Sequence, residues 1–170
     1  MALIKKVWGF TPQWGRDCWI ADNATIVGDV VMGEKCTVWF NAVVRGDVNE
    51  IRIGNQTNIQ DGAVIHCTYQ KAGTYIGSNV SIAHKAIVHG CTIEDNVLIG
   101  MGAIIMDNAL VKSGAVIAAG AVVLAGTVVE ENSIYAGIPA KKVKDTGEFM
   151  TAEIKRIAGN YPMYAGWYNE

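Results

Sequence analysis

IEDNVLIGMGAIIMDNALVKSGAVIAAGAVVLAGTVV, residues 93–129, decides the fold. Every sixth residue is aliphatic: Ile93, Ile99, Ile105, Val111, Ile117, Val123 and Val129. Four positions after each stands a small or β-branched residue: Val97, Ala103, Ala109, Ala115, Ala121, Thr127 and Ser133. A period of six suits neither an amphipathic helix nor a simple alternating strand. It suits a coil of short strands, in which one large side chain per hexad points inward and a small residue fits the corner. Three hexads close one triangular turn, and successive turns stack at about 4.8 Å, the spacing of paired strands.

The same phase runs back through Ile20, Ile26, Met32, Val38 and Val44, resumes at Ile53, Ile59 and Ile65, and again at Ile76, Ile82 and Val88. Eighteen hexads between residue 20 and about 134 give roughly six turns. The period breaks in three places: RGDVNEIR between Val44 and Ile53, HCTYQKAGTY between Ile65 and Ile76, and the short step from Val88 to Ile93. Interruptions in a regular solenoid are where loops and function gather. After residue 135, AGIPA (136–140) is a turn, because Gly and Pro end the strand regime. TGEFMTAEIKRIA then predicts a helix over 146–159, with Phe149, Ile154 and Ile157 on one apolar stripe and Gly159 as its stop. The expected organisation is one domain over 1–170, an all-β solenoid over about 12–134 with a C-terminal α-helix.

Composition narrows the function. Half of the 170 residues are hydrophobic, yet no apolar run reaches the roughly 18 residues that span a membrane. The start, MALIKKVWGFTPQWG, lacks the pattern of a signal peptide. A formal net charge of −2 with no basic tract argues against a nucleic-acid partner. The four cysteines form no CxxC pair, which fits reduced thiols in a cytoplasmic protein.

The chain has only three histidines, His66, His84 and His89. His84 lies one nominal turn of eighteen residues after His66, so an unbroken count sets the two on adjacent rungs of one edge, with His89 near the next corner. Three imidazoles in one neighbourhood match a His₃ zinc site with an open position. Nitrogen ligands would also accept iron or cobalt. Arg45-Gly46-Asp47 lies on the first register break, and Asn58, Gln60 and Asp61 come one hexad before His66. An Arg and carboxylates there suit an ion pair at a subunit contact. Gln60 suits a hydrogen bond to the water on a metal, with Asn58 holding its amide.

These residues together, Arg45-Gly46-Asp47, Asn58-Ile59-Gln60-Asp61-Gly62, His66, and His84 followed by His89, resemble the gamma-class carbonic anhydrase family of hexapeptide-repeat proteins. The resemblance covers nearly the whole chain. It implies a left-handed parallel β-helix and a homotrimer with zinc at the subunit interfaces. His66 and His89 would come from one subunit and His84 from its neighbour. Arg45 and Asp61 would pair across the interface with Asp47 nearby, Gln60 and Asn58 would line the site, and Tyr161, after the terminal helix, would lean over it. The implied reaction is the reversible hydration of carbon dioxide to bicarbonate. The family's prototypes carry a long acidic loop after the first histidine, with a proton-shuttling glutamate. Residues 67–75, CTYQKAGTY, hold no carboxylate. Two other readings stay open: an acyl-CoA transferase or thioesterase, suggested by the end-of-coil segment Ala136-Gly137-Ile138-Pro139-Ala140-Lys141, and a non-catalytic metal-binding or structural relative.

Overall fold

The computed structural model describes residues 1–168. The chain winds a left-handed parallel β-helix of about 7 turns, closed by a single C-terminal helix. One face of the prism stacks Leu3–Lys5, the start of Thr25–Met32, the start of Val43–Ile53, then Val64–His66, Ile87–His89, Ile104–Ile105 and Val122–Val123. A second stacks Gln13–Trp14, the ends of the two long strands, Thr74–Ile76, Thr92–Ile93, Leu110–Val111 and Val128–Val129. The third runs Trp19–Ile20, Thr37–Val38, Asn58–Ile59, Ser81–Ile82, Leu98–Ile99, Val116–Ile117 and Ser133–Ala136. The hexad residues fill the inside. Along the first face Ile26, Val44, Ile65, Val88, Ile105 and Val123 are all fully buried.

Winding starts earlier than the period reveals. Leu3–Lys5 pairs with Thr25–Val27 and Gln13–Trp14 with Val31–Met32, which supplies the turn beyond the six counted from hexads. Corners need left-handed backbone, and Asn41, Asn79, Asn96, Asn108 and Asn132 supply it at φ of 49–60°. Asn tolerates that region better than most side chains. Both long strands bend from the first face to the second, with Gly28 stacked on Gly46 at the bend. A Cβ on Gly46 would stand 2.5 Å from the Asp29 carbonyl oxygen, so the close approach of rungs requires glycine there.

The end of the chain departs from expectation twice. After the turn at 137–140, Lys141–Asp145 runs back antiparallel along Ser133–Ala136. The helix spans Gly147–Gly166, beyond the expected stop. It passes through Gly159 and Pro162 because its far half is anchored: Ala158 and Ala165 are buried, and Tyr161 packs edge-on to Trp39 at 5.3 Å. That packing offsets local costs of about 1 kcal/mol for an interior Gly and about 3 for Pro. Ile154 is buried as expected, whereas Phe149 points to solvent at 75% exposure. The helix lies against the third face, touching Thr37–Val38 and Ser81–Ile82. On the first face, the outward column Val43, Val64, Ile87, Ile104 and Val122 stays partly exposed. All four cysteines are free thiols.

Candidate metal centre

Register places the histidines differently from the even count. The segment after His66 closes a small loop, with Thr68 N–H donating to the Ala72 carbonyl, and this loop takes up extra residues. The rung partner of His66 is therefore His89, 23 residues on, and not His84. His84 sits one corner earlier, at the other edge of the first face. There Lys85 N–H donates to the Asp61 carbonyl and Gly102 N–H to that of His84. The candidate residues thus fall on the two edges that flank one face.

The first edge carries Arg45, Asp47, His66 and His89. Three residues in excess between Gly46 and Ile51 let Asp47 reach back across the edge. Arg45 Nη1 donates to Asp47 Oδ2 at 2.7 Å, and Asp47 Oδ1 meets His66 Nε2 at 3.1 Å. Burial works against the Asp47 carboxylate, but the bonds from Arg45 and His66 outweigh it and hold its pKa below the ordinary value. Burial pushes the His66 imidazole below its ordinary value despite the Asp47 bond, with the Arg45 charge adding to the shift. His66 Nδ1 lies 3.2 Å from His89 Nε2, and His89 Nδ1 lies 2.5 Å from Asp107 Oδ1.

The second edge carries Asn58, Gln60, Asp61, His84 and Tyr161. Gln60 Nε2 donates to Asn58 Oδ1 at 3.0 Å, and Asn58 Nδ2 donates to Ser81 Oγ at 2.8 Å. Asn58 does hold the Gln60 amide, and both are buried. His84 Nδ1 meets Asp61 Oδ2 at 2.9 Å while both side chains stay nearly half exposed. Tyr161 lies inside the helix rather than after it. It joins Gln60 and His84 around an apolar groove of about 360 Å³, with Leu98, Met101 and Ile157. Burial, helped by the Asp61 charge, raises its phenol to about 12.

Within the chain, Arg45 pairs with Asp47 and Asp61 with His84, so the Arg45–Asp61 pair is not formed. Among the described residues, no three His, Cys, Asp or Glu side chains of one chain gather into a metal-binding group. The donor chemistry on the first edge nonetheless fits a metal. A carboxylate accepts only, so Asp47 fixes the proton of His66 on Nε2 and Asp107 fixes that of His89 on Nδ1. The lone pairs of His66 Nδ1 and His89 Nε2 then face each other, an arrangement that calls for a cation between them. Their 3.2 Å separation is close to the about 3.3 Å between two nitrogens on one tetrahedral zinc. His84 keeps its Nε2 lone pair for a partner outside its own edge.

Asp107 and Thr68 escaped the sequence reading. The rungs here are 17 residues apart, with Val88 facing Ile105, so Asp107, 18 residues after His89, falls at the corner just past that rung and carried no periodic signal.

Comparison with known proteins bears on the fold and the family. The model for "Bacterial transferase hexapeptide (six repeats)" matches residues 15–46 and 90–125. A Methanocaldococcus jannaschii protein named "Probable carbonic anhydrase" is 57% identical over 145 residues, covering 85% of this chain and 89% of that one. "Gamma carbonic anhydrase 2, mitochondrial" of Arabidopsis thaliana is 35% identical across 93% of this chain and 59% of its own length. A solved hexapeptide transferase family protein from Anaplasma phagocytophilum superposes with a TM-score of 0.93 at 36% identity, covering 98% of both chains. The solenoid and these relatives together show that the chain belongs to the gamma-class carbonic anhydrase family of hexapeptide-repeat proteins.

Proposed function

We propose that this protein is a metal-dependent, carbonic-anhydrase-like enzyme that hydrates carbon dioxide reversibly to bicarbonate, with zinc held between subunits of a homotrimer. One observation carries the reading: two complementary half-sites lie on the two edges of one face, and that face bears an exposed aliphatic column. Three such faces turned inward around a threefold axis bury the column and bring the first edge of each chain to the second edge of its neighbour. His66 and His89 of one chain would then hold the metal with His84 of the next. Iron or cobalt suits the same nitrogen donors.

Bound zinc supplies a nucleophilic hydroxide near neutral pH. The chain's own residues do the rest. Asp47, Asp107 and Asp61 each hold a histidine tautomer, so all three imidazoles present lone pairs. Asn58 takes one N–H of Gln60, which leaves the Gln60 carbonyl to accept a hydrogen bond from the nucleophile and fix its direction. Arg45 offers a cation to bicarbonate, the anion that the reaction makes. Arg45, through its remaining N–H groups, would pair with the free Asp61 Oδ1 of its neighbour across the interface, while Asp61 Oδ2 stays on His84. The Tyr161 phenol, protonated throughout the neutral range, closes one side of the site.

Protein purified without chelators is expected to hold up to one metal per chain. Its carbon dioxide hydration should rise as pH passes through about 7. Added buffer should accelerate it, because the loop after His66 offers no carboxylate to export the proton. Full metal occupancy with no hydration at any pH would overturn the assignment. It would favour a second reading, an acyl thioester substrate, for which the groove beside His84 and Tyr161 offers an apolar wall larger than carbon dioxide needs.

A further inference from the structure

The break in the repeat after His66 raises a question that the missing acidic loop leaves open. Residues 67–73 form a short loop with no carboxylate, yet the structure spends several contacts on pinning it. Thr68 N–H donates to the Ala72 carbonyl at 2.9 Å, which closes the loop on itself. Thr74, wholly buried, donates from Oγ1 to the His66 carbonyl at 2.5 Å and accepts from Gly90 N–H at 3.0 Å. The loop is thereby tied to both histidine rungs at its base. At its neck, Thr68 Oγ1 donates to Asp107 Oδ2 at 2.5 Å, reaching 39 residues ahead in the chain. The other oxygen of the same carboxylate accepts from His89 Nδ1 at 2.5 Å.

We infer that Asp107 is a positioning residue for His89, and that the loop after His66 exists to aim it, with the Thr68 hydroxyl as the locking contact. Both oxygens of Asp107 are committed, one to the loop and one to the imidazole, so the carboxylate cannot swing. Its second bond fixes His89 in the tautomer with the proton on Nδ1 and sets the ring's rotation, which points the Nε2 lone pair at His66. The three side chains come from three successive regions of the coil. The irregular loop places Thr68 where a regular rung would have carried on into the second face. A carboxylate bound to a histidine's outer nitrogen raises the donor strength of the inner one and removes the entropy of orienting it. Asp107 touches neither substrate nor the reacting atoms, and its action runs through His89.

The inference rests on the reading of His89 as a metal ligand, but its first test does not. In the metal-free protein, nitrogen NMR should place the His89 proton on Nδ1. In Asp107→Ala the ring should show mixed tautomers. In Asp107→Asn the amide oxygen can still accept from Nδ1 and the Thr68 hydroxyl can turn to accept from the amide, so the wild-type tautomer should return. A second test titrates cobalt or zinc against a chromophoric chelator. Asp107→Ala should bind roughly 10–100-fold more weakly, Asp107→Asn less so, and Thr68→Val, which keeps shape and removes the donor, should lose several-fold. If Asp107→Ala fails to fold, Thr68→Val and the wild-type tautomer decide the matter. A wild-type His89 protonated on Nε2, or metal affinity unchanged in both Asp107→Ala and Thr68→Val, would overturn the inference. A wild type that binds no metal would overturn the proposed function instead, with the tautomer measurement still deciding the role of Asp107.

Discussion

Each of the three histidines has one ring nitrogen on a carboxylate: His66 on Asp47, His84 on Asp61 and His89 on Asp107. An imidazole so held has lost its freedom to choose a tautomer, which is the property a ligand needs and a surface histidine lacks. The same residue-by-residue stacking governs a pair of sulfurs far from this site. Cys18 and Cys36 stand at one corner of consecutive rungs, joined by the Trp19 N–H to Cys36 carbonyl bond. The Cys36 thiol donates to the Gly54 carbonyl and that of Cys18 to the Gly33 carbonyl. The neighbouring Cys36 side chain lowers the half-buried Cys18 to about 7, while the Cys18 side chain and burial push Cys36 up. Since the thiolate is the nucleophile, alkylation of Cys18 by iodoacetamide should accelerate with pH around a midpoint near 7. Replacing Cys36 by Ala removes that neighbouring side chain, and the midpoint should climb towards the ordinary value of 9.0 with a rate at neutral pH at least several-fold lower. The rate is followed by mass spectrometry. An unchanged midpoint in Cys36→Ala would show that another group stabilises the Cys18 thiolate.

At the scale of elements, the limits of local sequence signals appear at both ends of the coil. Gly159 reads as a helix stop, yet the helix runs on to Gly166. Its backbone there is ordinary helix, and a Cβ at Gly159 would meet only the Gln56 side-chain nitrogen, at 4.0 Å. Gly159→Ala should therefore stabilise the protein by up to about 1 kcal/mol through helix propensity and a stiffer unfolded chain. Thermal unfolding should shift upward by a few degrees, and a fall in the midpoint would mean that the helix needs room at this position. The strands were legible because a coil interior admits one large side chain per hexad, a rule the sequence must obey at every rung. Phase across residues 67–75 was not legible. A loop that leaves the coil consumes residues without marking how many, so His84 rather than His89 looked like the rung partner of His66. Asp107 was hidden for the opposite reason, since an aspartate at a regular corner looks like any other turn residue. Handedness and the sharing of ligands came from family resemblance, because no spacing within one chain encodes either.

For the whole molecule, the decisive question is where the third ligand comes from. Two edges of one prism cannot meet, so His84 serves the His66–His89 pair only if another chain supplies it. His66→Ala and His84→Ala should each fail to bind metal, since two protein ligands make a poor site. Unfolding the two variants together and reassembling them gives rings that contain both kinds of chain. Going one way around any such ring of three, one junction places an intact His66 and His89 opposite an intact His84. Mixed trimers should therefore regain metal, up to one ion per trimer, and any hydration activity should return in proportion. The proportion is fixed by geometry: rings with two chains of either kind have one good junction, and rings of a single kind have none. Light scattering at three chain masses, with mass spectrometry to count each variant per ring, checks the composition. If all three ligands belonged to one chain, every chain in the mixture would still lack one, and mixing would restore nothing. Verified mixed trimers without metal would thus refute the shared site, while leaving the solenoid and its hexad core untouched.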